Sequence, residues 1–292
     1  MDVSDARKRR SAILKTLNIP PASAASDQLL ELVKDEEVDI PSLAQAIQAE
    51  PGITARVISI ANSSFFSAPN PVHTVEEAMI KVLGLKTVRS LVMSMLLGPK
   101  FNTKPCPVFS LQGYWCRAQS VAQSAALLAK KVSTIDVNKV YLAGLLHSMG
   151  QLLLVHHFPK EMNKLLPDLI KLGNQERLEH ERKVLGINSC DAGSWIAKRW
   201  DLPVETAITL QHYLDPDYKG DHWEVVRTVG FVVRYLQQGD HPKANEKSNF
   251  PESETFASLF DVELTQLQLW QKSFDEIEQS VSLLAEFLIS HE

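Results

Sequence analysis

Along most of the chain, apolar positions recur at three- and four-residue intervals, which predicts helices almost throughout. Asp39-Ile40-Pro41-Ser42 sets a capping carboxylate and an early proline ahead of Leu43, Ala46 and Ile47, which share one helix face. Glu50-Pro51-Gly52 ends that helix, and Ile53, Val57, Ile60 and Ala61 begin the next stripe. Thr74-Val75-Glu76-Glu77 has capping-box spacing, so Glu77 can reach back to the amide of Thr74. Ala78, Val82 and Leu83 follow, until Gly84 closes the turn. Lys86 to Leu97 reads as a further helix, stopped by Gly98-Pro99. The period then predicts helices over 112–131, 138–157, 160–172, 175–184, 189–200, 204–214 and 221–238. Residues 239–253 are polar and loop-like, and two or three short helices are expected after them. No run alternates over four or more positions rich in β-branched residues, so the expected fold class is all-α.

The stretch GPKFNTKPCPVFS, with prolines at 99, 105 and 107, is the strongest linker signal. It divides the chain into an N-terminal helical subdomain over 1–98, a connector over 99–110 and a helical core over 111–238. A loop and C-terminal helices over 239–292 follow. A length of 292 residues allows a sizeable core, and 45% hydrophobic with 22% charged residues is ordinary for a globular protein. The net charge of −5 argues against general affinity for nucleic acid or anionic membranes. Arg7-Lys8-Arg9-Arg10 is the one tight basic cluster and reads as a solvated face. Residues 85–97 are broken by Lys86, Arg89 and Ser90, so no span is expected there. The first ten positions are too polar for a signal peptide. Cys106, Cys116 and Cys190 are far apart and lack CxxC spacing, which points to reduced thiols and a cytoplasmic protein.

Histidines supply the candidate chemistry. His147 lies in AGLLHSMGQ among Leu145, Leu146 and Met149; it reads either as a metal ligand or as a core histidine donating to a backbone carbonyl. Its neighbour Ser148 offers only a neutral hydroxyl where an aspartate would complete a ligand pair. His156 and His157, adjacent on a helix, point about 100° apart and do not form a site together. His180 in ERLEHERK reads as part of a solvated charged face. His212, near a helix end, reads as a ligand or as a cation favoured by the helix dipole. GxSxG, P-loop, HExxH and GxGxxG patterns do not occur.

Taken in order, several segments resemble the HDOD family (HD-related output domain), a branch of the HD phosphohydrolase superfamily. The likeness covers about residues 20–235. It runs through DIPSLAQAIQAEPGITARVISIANSSFF and VEEAMIKVLGLKTVRSLVM, then YWCRAQSVAQSAALLAKK. YLAGLLHSMGQLLL is similar to the family's AGLLHDIG helix, and GINSCDAGSWIAKRWDLPVETAITLQHY is similar to its final segment. Where catalytic HD proteins carry an early ligand histidine, this chain has Arg117 or a near neighbour. The His-Asp doublet corresponds to His147-Ser148, a further histidine to about Ser189, a histidine pair to Gln211-His212, and the last aspartate to about Phe231. His147 and His212 thus remain, without a carboxylate.

The resemblance therefore implies an HD-like bundle whose metal site is degenerate, with no cofactor expected. If Arg117 faces that site, its charge 4 Å from a unit cation at an effective dielectric of 20 costs about 4 kcal/mol, and roughly twice that for a divalent ion. The expected role is a stand-alone, non-catalytic signalling module that binds protein partners or a small phosphate- or nucleotide-like ligand. The candidate pocket comprises Arg117, His147, Ser148, Asp191 and His212, with Asp191 as an acid that could instead neutralise Arg117. Phe65-Phe66, before a proline-rich turn, is a candidate docking patch or a plug between subdomains. The alternative is a metal-dependent phosphohydrolase using displaced ligands such as His156, His157, His180 or Asp191. The apolar C-terminal helices could close the core or pair two protomers as a homodimer.

Overall fold

The structure, a computed structural model, describes residues 24–35, 37–62, 66, 70–97, 101–132, 134–238, 250 and 252–289. The Arg7-Lys8-Arg9-Arg10 cluster and Phe65 lie outside them. Among the described residues there are helices, turns and no strands, as the apolar period predicts.

The first helices are α1 (Ala24–Lys34), α2 (Ile40–Gln48), α3 (Pro51–Ala61), α4 (Val75–Glu77, continuing as a π-helical turn over Ala78–Leu83) and α5 (Leu85–Leu97). Asp39 caps α2 by accepting the Ser42 amide at 2.7 Å. Thr74 caps α4, and the carboxylate of Glu77 accepts from the amide of His73 at 2.8 Å as well as from that of Thr74. Gly84 ends this segment with φ of 78°, a conformation in which a Cβ would be strained.

The larger part follows: α6 (Leu111–Lys131), α7 (Val137–Leu146), α8 (Met149–His157), α9 (Pro159–Leu169), α10 (Asn174–Leu185), α11 (Ser189–Arg199), α12 (Val204–His212) and α13 (Trp223–Gln238). The chain ends in α14 (Glu252–Leu259) and α15 (Leu264–Ile289). Where short terminal helices were expected, α15 runs for 26 residues, because α6 offers it a long apolar face to pack along.

The expected single helix over 138–157 is broken at His147-Ser148. Its halves have different partners: α7 lies on α6, and α8 lies on α11. Two glycines permit this. A Cβ on Gly144 would lie 2.9 Å from Cα of Ala122, and one on Gly150 would lie 1.8 Å from the carbonyl oxygen of Ser189. Both contacts are backbone to backbone, so neither helix could approach so closely with a side chain there.

Two apolar clusters form the interior. One joins α1–α5 to α6–α12, from Leu29 through Val92, Trp115 and Leu146 to Leu210. Phe66 packs partly buried against it. The other, with Val121, Leu128, Val140, Phe231, Phe256 and Phe274, sits between α6–α7 and α13–α15. Successive faces of α6 and α7 serve both. No helix among the described residues is long and apolar enough to cross a membrane.

Candidate functional site

The break between α7 and α8 turns His147 inward, where it is 4% exposed. Gly144 lies in the last turn of α7, where carbonyls lack intrahelical partners. Its oxygen is 2.7 Å from Nδ1 of His147. A carbonyl only accepts, so Nδ1 carries the proton and a neutral ring keeps Nε2 as an acceptor. Burial, with help from the nearby Arg117 and Arg177 charges, pushes the histidine down to about 4, so it is uncharged at neutral pH. The ring stands edge-on to Tyr213, with centroids 5.2 Å apart. One ring nitrogen thus serves the backbone, and the other faces away from it.

His147 and Ser148 open onto a cavity of about 330 Å³ whose wall also carries Tyr114, Arg117, Gln151, Asn174, Arg177, Tyr213 and Gln237. Arg117 reaches Glu278 of α15 at 3.6 Å. Arg177 is held from behind by Glu181, with Nε 3.4 Å from Oε1. Glu181 is fully buried, and its other oxygen accepts the amide of Ser189 at 2.7 Å. Neither glutamate lines the cavity, so its wall presents guanidinium groups. Burial raises Tyr114 and Tyr213 well above the usual phenol range, which keeps both hydroxyls protonated.

The predicted pocket is not one cavity. Arg117, His147 and Ser148 line the first, whereas Asp191 and His212 line a second of about 480 Å³, and Tyr213 borders the first where His212 borders the second. Asp191, buried, pairs with Arg182 at 3.3 Å. His212 stacks on Tyr218 with centroids 4.4 Å apart, and burial lowers its pKa. The helix-end cation expected of His212 is therefore disfavoured by desolvation. Among the other histidines, His156 accepts the Asn102 amide at 2.9 Å and meets the edge of Phe101. ERLEHERK is not wholly a solvated face, since Glu181 is 0% exposed and Arg177 reaches the first cavity. A larger cavity of about 760 Å³ between α1, α5, α7 and α12 has a mixed-charge lining, already partly paired as Lys139–Glu205 at 3.3 Å.

Arg177, Glu181, Tyr114, Tyr213 and Glu278 escaped the sequence reading. The signal for the first two was the i, i+4 pairing of Arg177 with Glu181 next to Leu178 and Leu185 on an otherwise charged helix. Nothing local in the sequence announces Glu278.

The donors here do not fit a divalent cation. The first cavity offers a neutral imidazole bonded to backbone through Nδ1, neutral hydroxyls and carboxamides, and two guanidinium groups, with no carboxylate. Phe231, expected at the position of the last aspartate, points into an aromatic cluster, 4.3 Å from Phe256 and 5.3 Å from Phe250. Among the described residues no three His, Cys, Asp or Glu side chains gather closely enough to hold a metal.

The HDOD domain model matches residues 19–216, more than half of the chain. The chain belongs to the HDOD family. A curated relative, an uncharacterized protein of Treponema pallidum (strain Nichols), is 21% identical over 230 residues, which covers 77% of this chain and 44% of the relative. A solved structure of a candidate signal transduction protein from Marinobacter aquaeolei VT8 is similar with a TM-score of 0.79 and 22% identity, covering 98% of this chain and 66% of that one. A candidate phosphohydrolase from Shewanella amazonensis SB2B is similar with a TM-score of 0.73 and 20% identity, covering 95% and 98% of the two chains. The HDOD chain thus spans less than half of its curated relative and about two thirds of the Marinobacter protein. At these identities the structural likenesses establish the helical HDOD fold.

Proposed function

We propose that this HDOD protein is a non-catalytic regulatory module of signal transduction, acting through a protein partner or a small anionic ligand. The observation that carries this is the wall around His147. Ser148 stands there in place of the aspartate of an HD doublet, Arg117 at or near the early ligand histidine, and Arg177 adds a second guanidinium to the same wall. Hydrolysis by that superfamily depends on metal-activated water, and a cation placed between two guanidinium groups meets repulsion from both. The name of the Marinobacter relative accords with a signalling role.

The test is elemental analysis of untagged protein grown with added manganese, iron and zinc, paired with hydrolysis of a generic phosphodiester. The expected result is metal far below one per chain and no turnover that depends on His147. One or two ions per chain, or hydrolysis abolished in His147→Ala, would overturn the reading in favour of a phosphohydrolase.

A further inference from the structure

We propose that the cavity beside His147 binds the phosphate group of a small phosphate monoester, with Arg177 and Arg117 as its anchors and Glu278 as the internal anion that the ligand displaces. The inference deepens the regulatory reading and rests on it only in that the ester is bound without being cleaved.

Arg177 carries the site. Its side chain is 17% exposed and lines the cavity, and among the described residues its one hydrogen bond is made by Nε to Glu181. The two terminal nitrogens therefore remain as parallel donors, the fork that matches a phosphate oxygen pair. Glu181 also accepts the Ser189 amide, so it is anchored behind the wall and cannot swing forward to satisfy them. Tyr213 also lines the cavity, and burial keeps its hydroxyl protonated as a donor. His147, neutral and with Nδ1 on the Gly144 carbonyl, offers Nε2 as an acceptor and no charge, which suits a protonated phosphate oxygen.

Arg117 supplies the competition. Glu278 lies 3.6 Å from it, a long contact for an ion pair, and both side chains are part exposed at 28% and 37%. A phosphate carries more charge than one carboxylate and offers three acceptor oxygens, so it outcompetes Glu278 for this guanidinium. Because Glu278 belongs to α15 and Arg117 to α6, ligand binding loosens one tie between these helices. The volume of about 330 Å³ is at the small end of ligand cavities, which selects a compact ester.

The experiment is isothermal titration of the full chain with inorganic phosphate and with guanosine 5′-monophosphate. Binding at one site per chain is expected. Arg117→Gln and Arg177→Lys should each weaken it by about tenfold or more. Glu278→Gln should tighten it by about threefold, since the competing carboxylate is gone. That gain keeps the test valid even if Arg177→Lys perturbs the fold through Glu181. Equal affinity for both probes would mark free phosphate as the ligand, and tighter binding of the nucleotide would mark the ester. Absence of binding in both the native chain and Glu278→Gln overturns the proposal, as does binding indifferent to all three substitutions. Phosphorus NMR of the bound nucleotide separates the two readings: release of phosphate would sink the non-catalytic role and leave the site standing.

Discussion

At the scale of single residues, His147 is held neutral by burial and by its bond to Gly144, and this has a measurable consequence. Its folded pKa of about 4 lies below the ordinary value of 6.5, so the unfolded chain binds the extra proton across that interval. Stability is therefore fully present above about pH 6.5, falls as pH drops toward 4, and stops changing on this account below that. The integrated loss is about 3 kcal/mol. Urea unfolding at several pH values, for the native chain and for His147→Gln, isolates the contribution as the difference in slope. Equal slopes would mean that His147 is not held neutral in the folded state. The sequence already showed His147 among apolar neighbours and Ser148 without charge. It could not show that the ring nitrogen is committed to a backbone carbonyl, because that depends on a helix break created by contacts with α6 and α11.

At the scale of elements, that break is set by glycines. Gly144 lets α7 settle on α6, and Gly150 lets α8 settle on α11 with backbones in contact. In Gly150→Ala the new Cβ would overlap the Ser189 carbonyl and the Gly193 amide, and neither is the end of a flexible side chain. Forcing the helices apart should cost about 3 kcal/mol, with the cavity at His147 distorted as well. Denaturant midpoints at unchanged slope measure this, and a variant as stable as the native chain would refute the close approach. Helix limits were legible where caps and turns are local, as with Asp39 before α2 and Gly84 after α4. The break at His147-Ser148 and the length of α15 were not, since both arise from partners distant in sequence. The same distance hid Glu278 beside Arg117, whereas Arg177 with Glu181 was readable as an i, i+4 pair but looked like surface.

At the scale of the whole molecule, the two apolar clusters share α6 and α7. Ala118, Ala122 and Ala126 face the first cluster, while Val121, Ala125, Leu128 and Ala129 face the second. On α7, Leu145 and Leu146 join the first, and Val140 and Ala143 the second. Neither cluster can lose its packing without exposing one face of helices that the other needs. Buried polar groups follow the same logic: Arg234 of α13 bonds both carboxylate oxygens of Glu252 on α14 and the carbonyl of Tyr213 after α12. Such interlocking favours one cooperative unfolding transition over two. Tryptophans report both sides, with Trp115 and Trp200 in the first cluster and Trp223 and Trp270 against the second. Far-ultraviolet circular dichroism and the fluorescence of variants retaining only one pair should therefore give the same urea midpoint. Separate midpoints for the Trp115–Trp200 pair and the Trp223–Trp270 pair would show that α6 and α7 can keep one cluster while releasing the other. In that event the tie between Arg117 and Glu278 would join two independently stable bodies, and a ligand at Arg117 would act on their docking instead of on one packed core.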